Sequence, residues 1–376
     1  MDSAPGRGHS GDMETAQDTP TPRHSLAGED FAPRDGVYLN TASAGIAPLA
    51  SASAVSRAAE DYARGRLDLD QMFVRFQQVR ETFARIARVP SERVALGASV
   101  AVHAALVAAS LPEDTEVLVP EGDFSSLVTP FDLSPRVTLR AVPLERLAEE
   151  VGPRTSMVVT SAAQSRDGRV ADLPAVRTAA HAHGARVLVD GTQAVGWMDL
   201  DPDHYDYLLC GAYKWLMCPH GVSFLVVPPE VLENPGSLVP YRAGWVAGAV
   251  PWDSTYGPVR EFADTARRYD ERPAFLSYLG ALPSLELVER HGTRTIGAWD
   301  LALAERFRAG ARDLGLEPVD APSPIVAVPG LGERAEALGQ QGVRVSVRAG
   351  NLRAAFHLYN SEADVDRLLE VLAPRG

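Results

Sequence analysis

Short β-branched and apolar runs recur through the middle of this chain, most of them separated by helix-length segments. The runs fall at residues 94–96, 116–119, 137–142, 157–160, 186–189, 207–210 and 222–227. Strands that read as near-continuous apolar runs are those buried on both faces, with helices as the crossovers between parallel neighbours. The pattern predicts an α/β fold built on a seven-stranded, mostly parallel sheet. With 376 residues, 45% of them hydrophobic, the chain is long enough to bury such a sheet and still form a second, smaller domain.

Order is expected to begin at Val37-Tyr38-Leu39-Asn40, followed by a turn at Gly45 and Pro48 and helical patterns over 50–64 and 67–88. Beyond Pro228, aromatic and Pro-rich loops run to Pro273, and helical patterns follow at 274–290 and 296–314. The tail reads strand 325–328, helix 334–341, strand 343–347, strand 352–357 and helix 362–372, a compact α+β unit. This divides the chain into a large domain, 31–260, and a smaller C-terminal domain, 261–376, with 31–66 free to pack on the latter. Residues 1–30, rich in Gly, Pro, Ser, Thr and charge and lacking an apolar signal core, read as a disordered leader.

Thirty-six basic against 49 acidic side chains give a net charge of -13, with no basic run, which argues against nucleic acid and anionic membranes as partners. Gly, Pro or charge interrupts every hydrophobic stretch before it could span a bilayer. Cys210 and Cys218 form no CxxC pair and are too few to staple the fold, which points to a reducing, cytoplasmic setting.

In an open α/β sheet, ligands collect beyond the carboxyl ends of the strands. Four such ends carry notable residues: Asp190 to Gln193, Gly211 to Lys214, Gly97-Ala98-Ser99, and Asp123-Phe124. Together they offer an amine, a carboxylate, anion-binding amides at a helix start and an aromatic plate, which are the needs of pyridoxal phosphate. Each has a second use. Lys214 also reads as a lysine snorkelling from a strand end, Asp190 and Ser99 as helix N-caps, Phe124 as core, and Gln193 as a solvated loop residue.

The segment V-L-V-D-G-T-Q-A-V-G (187–196), followed by Y-K-W-L and P-H-G (213–221), resembles the class V aminotransferases, fold type I pyridoxal enzymes that include cysteine desulfurases, kynureninases and isopenicillin N epimerases. The likeness runs from Y-L-N-T-A-S-A-G (38–45) to F-H-L-Y-N-S-E-A-D-V-D-R-L (356–368). It implies pyridoxal 5'-phosphate held by Lys214 as a Schiff base, Asp190 on the ring nitrogen and Gln193 near the ring oxygen. It also implies Ala98, Ser99 and Tyr213 at the phosphate, Phe124 stacked on the ring, and Arg353, with Arg348 as rival, on the substrate carboxylate. A homodimer acting on an amino-acid-like small molecule is implied as well.

Three departures stand out. No thiol lies between Arg348 and Arg353, where desulfurases carry theirs; Glu271-Arg272 replaces a Gly-Thr that in relatives reaches the neighbouring subunit's phosphate; and Gly211 replaces a phosphate-binding Ser. An aminotransferase is the first expectation, with a carbon-sulfur lyase or an epimerase as alternatives. A catalytically silent scaffold, or an α/β hydrolase using Ser99, Asp190 and His357 in triad order, are the rivals from other classes. His181 and His183 read as a helix C-terminus rather than a metal pair, and Trp197, Trp215, Trp245 and Trp252 as core or interface residues.

Overall fold

The computed structural model describes residues 25–374. In chain order the first elements are β1 (Val37–Tyr38), α1 (Leu49–Ala63), α2 (Leu69–Ala87), β2 (Val94–Gly97), α3 (Val100–Ser110), β3 (Thr115–Pro120), α4 (Ser125–Asp132) and β4 (Val137–Val142). They are followed by β5 (Thr155–Ser161), α5 (Leu173–Ala182), β6 (Arg186–Asp190), β7 (Tyr207–Gly211), β8 (Ser223–Val226) and α6 (Pro229–Glu233). The C-terminal part holds α7 (Phe275–His291), α8 (Thr293–Asp313), β9 (Ile325–Val328), α9 (Ala335–Gln340), β10 (Val343–Arg344), β11 (Ser346–Arg348), β12 (Asn351–Ala355) and α10 (Glu362–Leu372).

The central sheet has seven strands in the order β2-β8-β7-β6-β5-β3-β4. All neighbours pair in parallel except those of β8, which is antiparallel to both β2 and β7. Side chains alternate between two cores, one on each face of the sheet. Val187 and Val189 enter one cluster with Phe83, Phe224 and Trp215, while Leu188 enters the other with Leu127, Phe131 and Leu225. This two-sided burial is why the strands read as unbroken apolar runs.

A third cluster joins Leu39, Phe307, Val326, Leu352 and Phe356 and forms the core of the C-terminal unit. Here β9, β11 and β12 make a small antiparallel sheet in the order β11-β12-β9. The single strand expected over 343–347 is two short ones in different sheets: β10 pairs in parallel with β1, and β11 pairs with β12. The N-terminal segment is thus stitched to the C-terminal unit through β1, and α1 lies against α7.

Of the leader expected over 1–30, residues 1–24 lie outside the described residues. Residues 25–30 depart from that expectation, because Ala27 and the adjacent Phe31 are buried and Ala27 N–H donates to the Leu358 carbonyl at 3.1 Å. The few apolar groups of that segment find a site on a distant part of the chain, a contact that composition does not reveal. Among the described residues no helix is long and apolar enough to cross a membrane.

Candidate active site

The carboxyl ends of β3, β5, β6 and β7 deliver Asp123, Ser161, Asp190 and Lys214 to one region. Lys214 follows β7 and is 4% exposed, and its Nζ makes no hydrogen bond or ion pair among the described residues. Its Nζ lies 5.1 Å from the centroid of the Phe124 ring and 5.6 Å from that of Tyr213. Burial, helped by the positive fields of Arg353 and Arg348 and opposed by Asp190, brings its pKa down to about 8. An amine so placed is available as a neutral nucleophile.

The whole chain contains no other lysine; every other basic side chain counted with it is an arginine. A guanidinium is permanently charged and is a poor nucleophile, whereas an ammonium can lose its proton. That count was the strongest signal of function in the sequence, and reading motif by motif passes over it.

Asp190, the last residue of β6, is also buried, and burial raises its pKa to about 6. Its hydrogen bonds come from Thr192, whose backbone N–H meets Oδ1 at 2.8 Å, and no cation is ion-paired with it among the described residues. It and Lys214 are near enough for each to shift the other's titration without forming a salt bridge. Asp123 is held more tightly, accepting from Ser161 N–H at 2.8 Å, Ser161 Oγ at 2.6 Å and Gln164 Nε2 at 3.2 Å.

Phe124 caps the start of α4 and is 40% exposed, a flat surface open beside the lysine rather than core. Ser99 spends its hydroxyl as the α3 N-cap, accepting from Val102 N–H at 3.4 Å. Ala98 N–H donates to the Glu271 carboxylate at 3.2 Å. The Tyr213 ring stacks on His220, with centroids 4.3 Å apart. Gln193 is buried; its Nε2 donates to the Ala42 carbonyl at 2.9 Å and its Oε1 accepts from Trp215 Nε1 at 2.8 Å, which leaves one N–H of the amide.

Arg353 on β12 is 1% exposed and has no carboxylate partner among the described residues. It donates to Ser346 Oγ at 3.0 Å, to Ser43 Oγ at 2.8 Å and to the Ser165 carbonyl, and burial lowers its pKa to about 9. Arg348 is exposed and reaches the same Ser43 Oγ at 3.0 Å. A buried guanidinium met only by neutral oxygens is a receptor for an anion.

Sequence reasoning missed the contacts of the segment 42–45, which supplies the Ala42 carbonyl and Ser43 hydroxyl, and the Ser161 and Gln164 partners of Asp123. These contacts span separations from 38 to 310 residues. Only a run of small residues, T-A-S-A-G, hinted that the backbone there passes close to something.

The triad of Ser99, Asp190 and His357 is not assembled. His357 is fully buried, with Nδ1 2.8 Å from Asp300 Oδ2 and Nε2 donating to the Trp215 carbonyl at 3.0 Å. Ser99 is engaged as a cap, so no nucleophile-base contact exists. Trp197 and Trp215 are buried, while Trp252 is 48% exposed and stacks on Trp245.

A parallel sheet with a buried lysine and a buried aspartate beyond neighbouring strand ends is the arrangement of the fold type I pyridoxal-phosphate enzymes. The aminotransferase class-V family model matches residues 62–306, and the chain belongs to that family. It is 29% identical over 283 residues to isopenicillin N epimerase of Streptomyces clavuligerus, covering 70% of this chain and 66% of that protein. It is 30% identical over 242 residues to 8-amino-7-oxononanoate synthase of Pseudomonas putida, covering 61% and 57%. The aligned stretch is thus less than two thirds of either curated relative. Among solved structures, C-DES with glycine covalently linked to its PLP cofactor superposes with a TM-score of 0.81 at 22% identity, covering 91% of this chain and 97% of that one. The apo cysteine desulfurase of Thermococcus onnurineus NA1 does so with 0.76 at 18%, covering 90% and 94%. These structural likenesses establish the fold.

Proposed function

We propose that this chain is a pyridoxal 5'-phosphate-dependent enzyme acting at the α-carbon of an amino-acid-like substrate, an aminotransferase before any other activity, with Lys214 as the residue that bonds the cofactor. The observation that carries this is the chain's sole lysine, buried, its amine without a hydrogen-bond partner among the described residues and its pKa brought to about 8. The residues fit the group. Asp190, a buried carboxylate with no paired cation among the described residues, suits a protonated ring nitrogen, Phe124 offers a face for the ring, and Gln193 retains an N–H for a ring oxygen.

Ala98, Ser99 and Tyr213 are the phosphate-end residues, beside the positive end of α3. When bound, the cofactor supplies an electron sink conjugated to the substrate's α-carbon. Arg353, with Arg348 at the mouth, grips the substrate carboxylate and orients it. Once a substrate amine has taken its place on the cofactor, the freed Lys214 Nζ would take the α-proton and return it. Aminotransfer asks for little beyond that one mobile amine, which ranks it first.

Epimerisation is the second reading, favoured by the similarity to isopenicillin N epimerase. Persulfide chemistry is disfavoured: Cys210 and Cys218 are buried, and the turn between Arg348 and Arg353 has no thiol. We take the protein to divide into 31–260 and 261–376 and to act as a cytoplasmic homodimer. Trp252, 48% exposed and in ring contact with Phe73 and Trp245, supports the association.

The deciding experiment adds pyridoxal phosphate to purified protein, records absorbance between about 320 and 500 nm and titrates amino acids. A Lys214-dependent band that changes with an amino acid and yields a keto acid establishes aminotransfer. Loss of stereochemistry without a keto acid favours the epimerase, and release of pyruvate and ammonia the lyase. A band unmoved by every amino acid marks a silent scaffold, and no band removes the proposal.

A further inference from the structure

An anion of the protein's own already sits on the first amide of the proposed phosphate cradle. Glu271 Oε2 accepts from Ala98 N–H at 3.2 Å. The backbone that presents this carboxylate is pinned. Glu271 N–H donates to the Leu96 carbonyl at 3.1 Å, and Asp270 Oδ1 accepts from Leu96 N–H at 2.8 Å. Asp270 is in turn paired with Arg80 at 2.6 Å, the two side chains being 5% and 6% exposed. Residues 270 and 271 therefore run beside the exit of β2 as a fixed strap, with the half-buried Glu271 side chain as a short movable arm.

Among the described residues no cation neutralises that arm. Glu271 forms no ion pair among the described residues, and its neighbour Arg272 is exposed, with its guanidinium 5.0 Å from the centroid of the Phe275 ring. The carboxylate is held by the Ala98 amide, just ahead of the Ser99 cap at the positive end of α3, the same features that recommend the site for a phosphate. A phosphate monoester carries roughly -1.5 to -2 charges near neutral pH, so the two anions cannot share one N–H without strong repulsion.

We infer that Glu271 is a built-in competitor for the cofactor's phosphate, and that displacing its carboxylate into solvent sets how tightly the cofactor is held. This rests on the pyridoxal phosphate reading above. It makes Glu271 an affinity-determining residue that acts on the phosphate alone and leaves the ring and its aldehyde untouched.

The test titrates wild type, Glu271→Gln and Glu271→Ala with pyridoxal phosphate and with pyridoxal, which offers the same aldehyde without the phosphate. Dissociation constants are read from Lys214-dependent absorbance and from tryptophan fluorescence, and thermal melts confirm that each variant folds. Removing the charge should tighten pyridoxal phosphate binding by at least about tenfold while pyridoxal moves by less than about twofold. Inorganic phosphate should compete better in the variants than in wild type.

Equal pyridoxal phosphate affinities across the three proteins would overturn the inference, and so would a pyridoxal shift as large as that of its phosphate ester. Should Glu271→Ala fail to fold, Glu271→Gln, which keeps the side chain's shape, decides alone. Absence of any Lys214-dependent band with either aldehyde would instead remove the underlying reading and the inference with it, a result distinct from flat affinities.

Discussion

Gly45 packs against Lys214 so closely that a Cβ on the glycine would lie 2.1 Å from the lysine's carbonyl oxygen. Gly45 N–H also donates to the Tyr213 carbonyl at 2.9 Å, so the N-terminal segment braces the lysine-bearing loop from behind. Gly45→Ala must push that loop away. It should cost about 1–3 kcal/mol in urea unfolding and weaken cofactor uptake by more than the stability loss explains.

Replacing Lys214 by Arg keeps a cation in place yet removes the reactive amine. The variant should fold and show no visible band with pyridoxal phosphate, and borohydride reduction should add no cofactor mass to the region around position 214. With no second lysine in the chain, no neighbouring side chain can substitute.

The depressed pKa of Lys214 sets a pH dependence that can be read directly. Reaction of its amine with an acylating reagent should rise through about pH 8, well below the ordinary 10.5. Burial is the main cause; Asp190 raises the pKa and Arg353 lowers it, so Asp190→Asn should move the profile to lower pH and Arg353→Gln to higher. Because the folded pKa lies below the unfolded one, the group's contribution to stability is present above 10.5 and lost as pH falls through about 8. Cofactor-free protein should therefore gain stability across that window by up to about 1.4 kcal/mol per pH unit relative to a Lys214→Met variant.

Arg353 should govern substrate affinity. Arg353→Ala should raise KM by about 10- to 100-fold for substrates bearing a carboxylate, the worth of a charge-assisted pair, and leave amines without one unaffected. The exposed Arg348 should matter less, because solvent screens its field.

The strap at residues 270–271 depends on a buried ion pair. Asp270→Ala leaves the Arg80 guanidinium uncompensated and should lower stability by about 3–5 kcal/mol in chemical denaturation, whereas Asp70→Ala on the exposed first turn of α2 should cost under about 1 kcal/mol.

The central sheet was legible because strands buried on both faces leave unbroken apolar runs, and each of the seven expected runs overlaps a strand of that sheet. The reversed direction of β8 was not, since apolar character carries no sense of direction. The 343–347 run divides because β1 claims one half as a parallel partner while β12 takes the other. At the site, Lys214 and Asp190 stood out by lying just past strand ends. The Ala98–Glu271 contact stayed hidden, because the two residues are 173 positions apart and only the folded chain brings them together.

His357 leaves β12, Asp300 belongs to α8, and Trp215 directly follows Lys214, so one buried imidazole fastens three distant stretches into a single block. Wide jaw-like swinging of the C-terminal unit against the lysine would have to break both of those buried hydrogen bonds. The hairpin tip after Arg348, where Ala349 and Gly350 turn through positive φ values of 49° and 79°, lies outside that anchorage and takes no part in it.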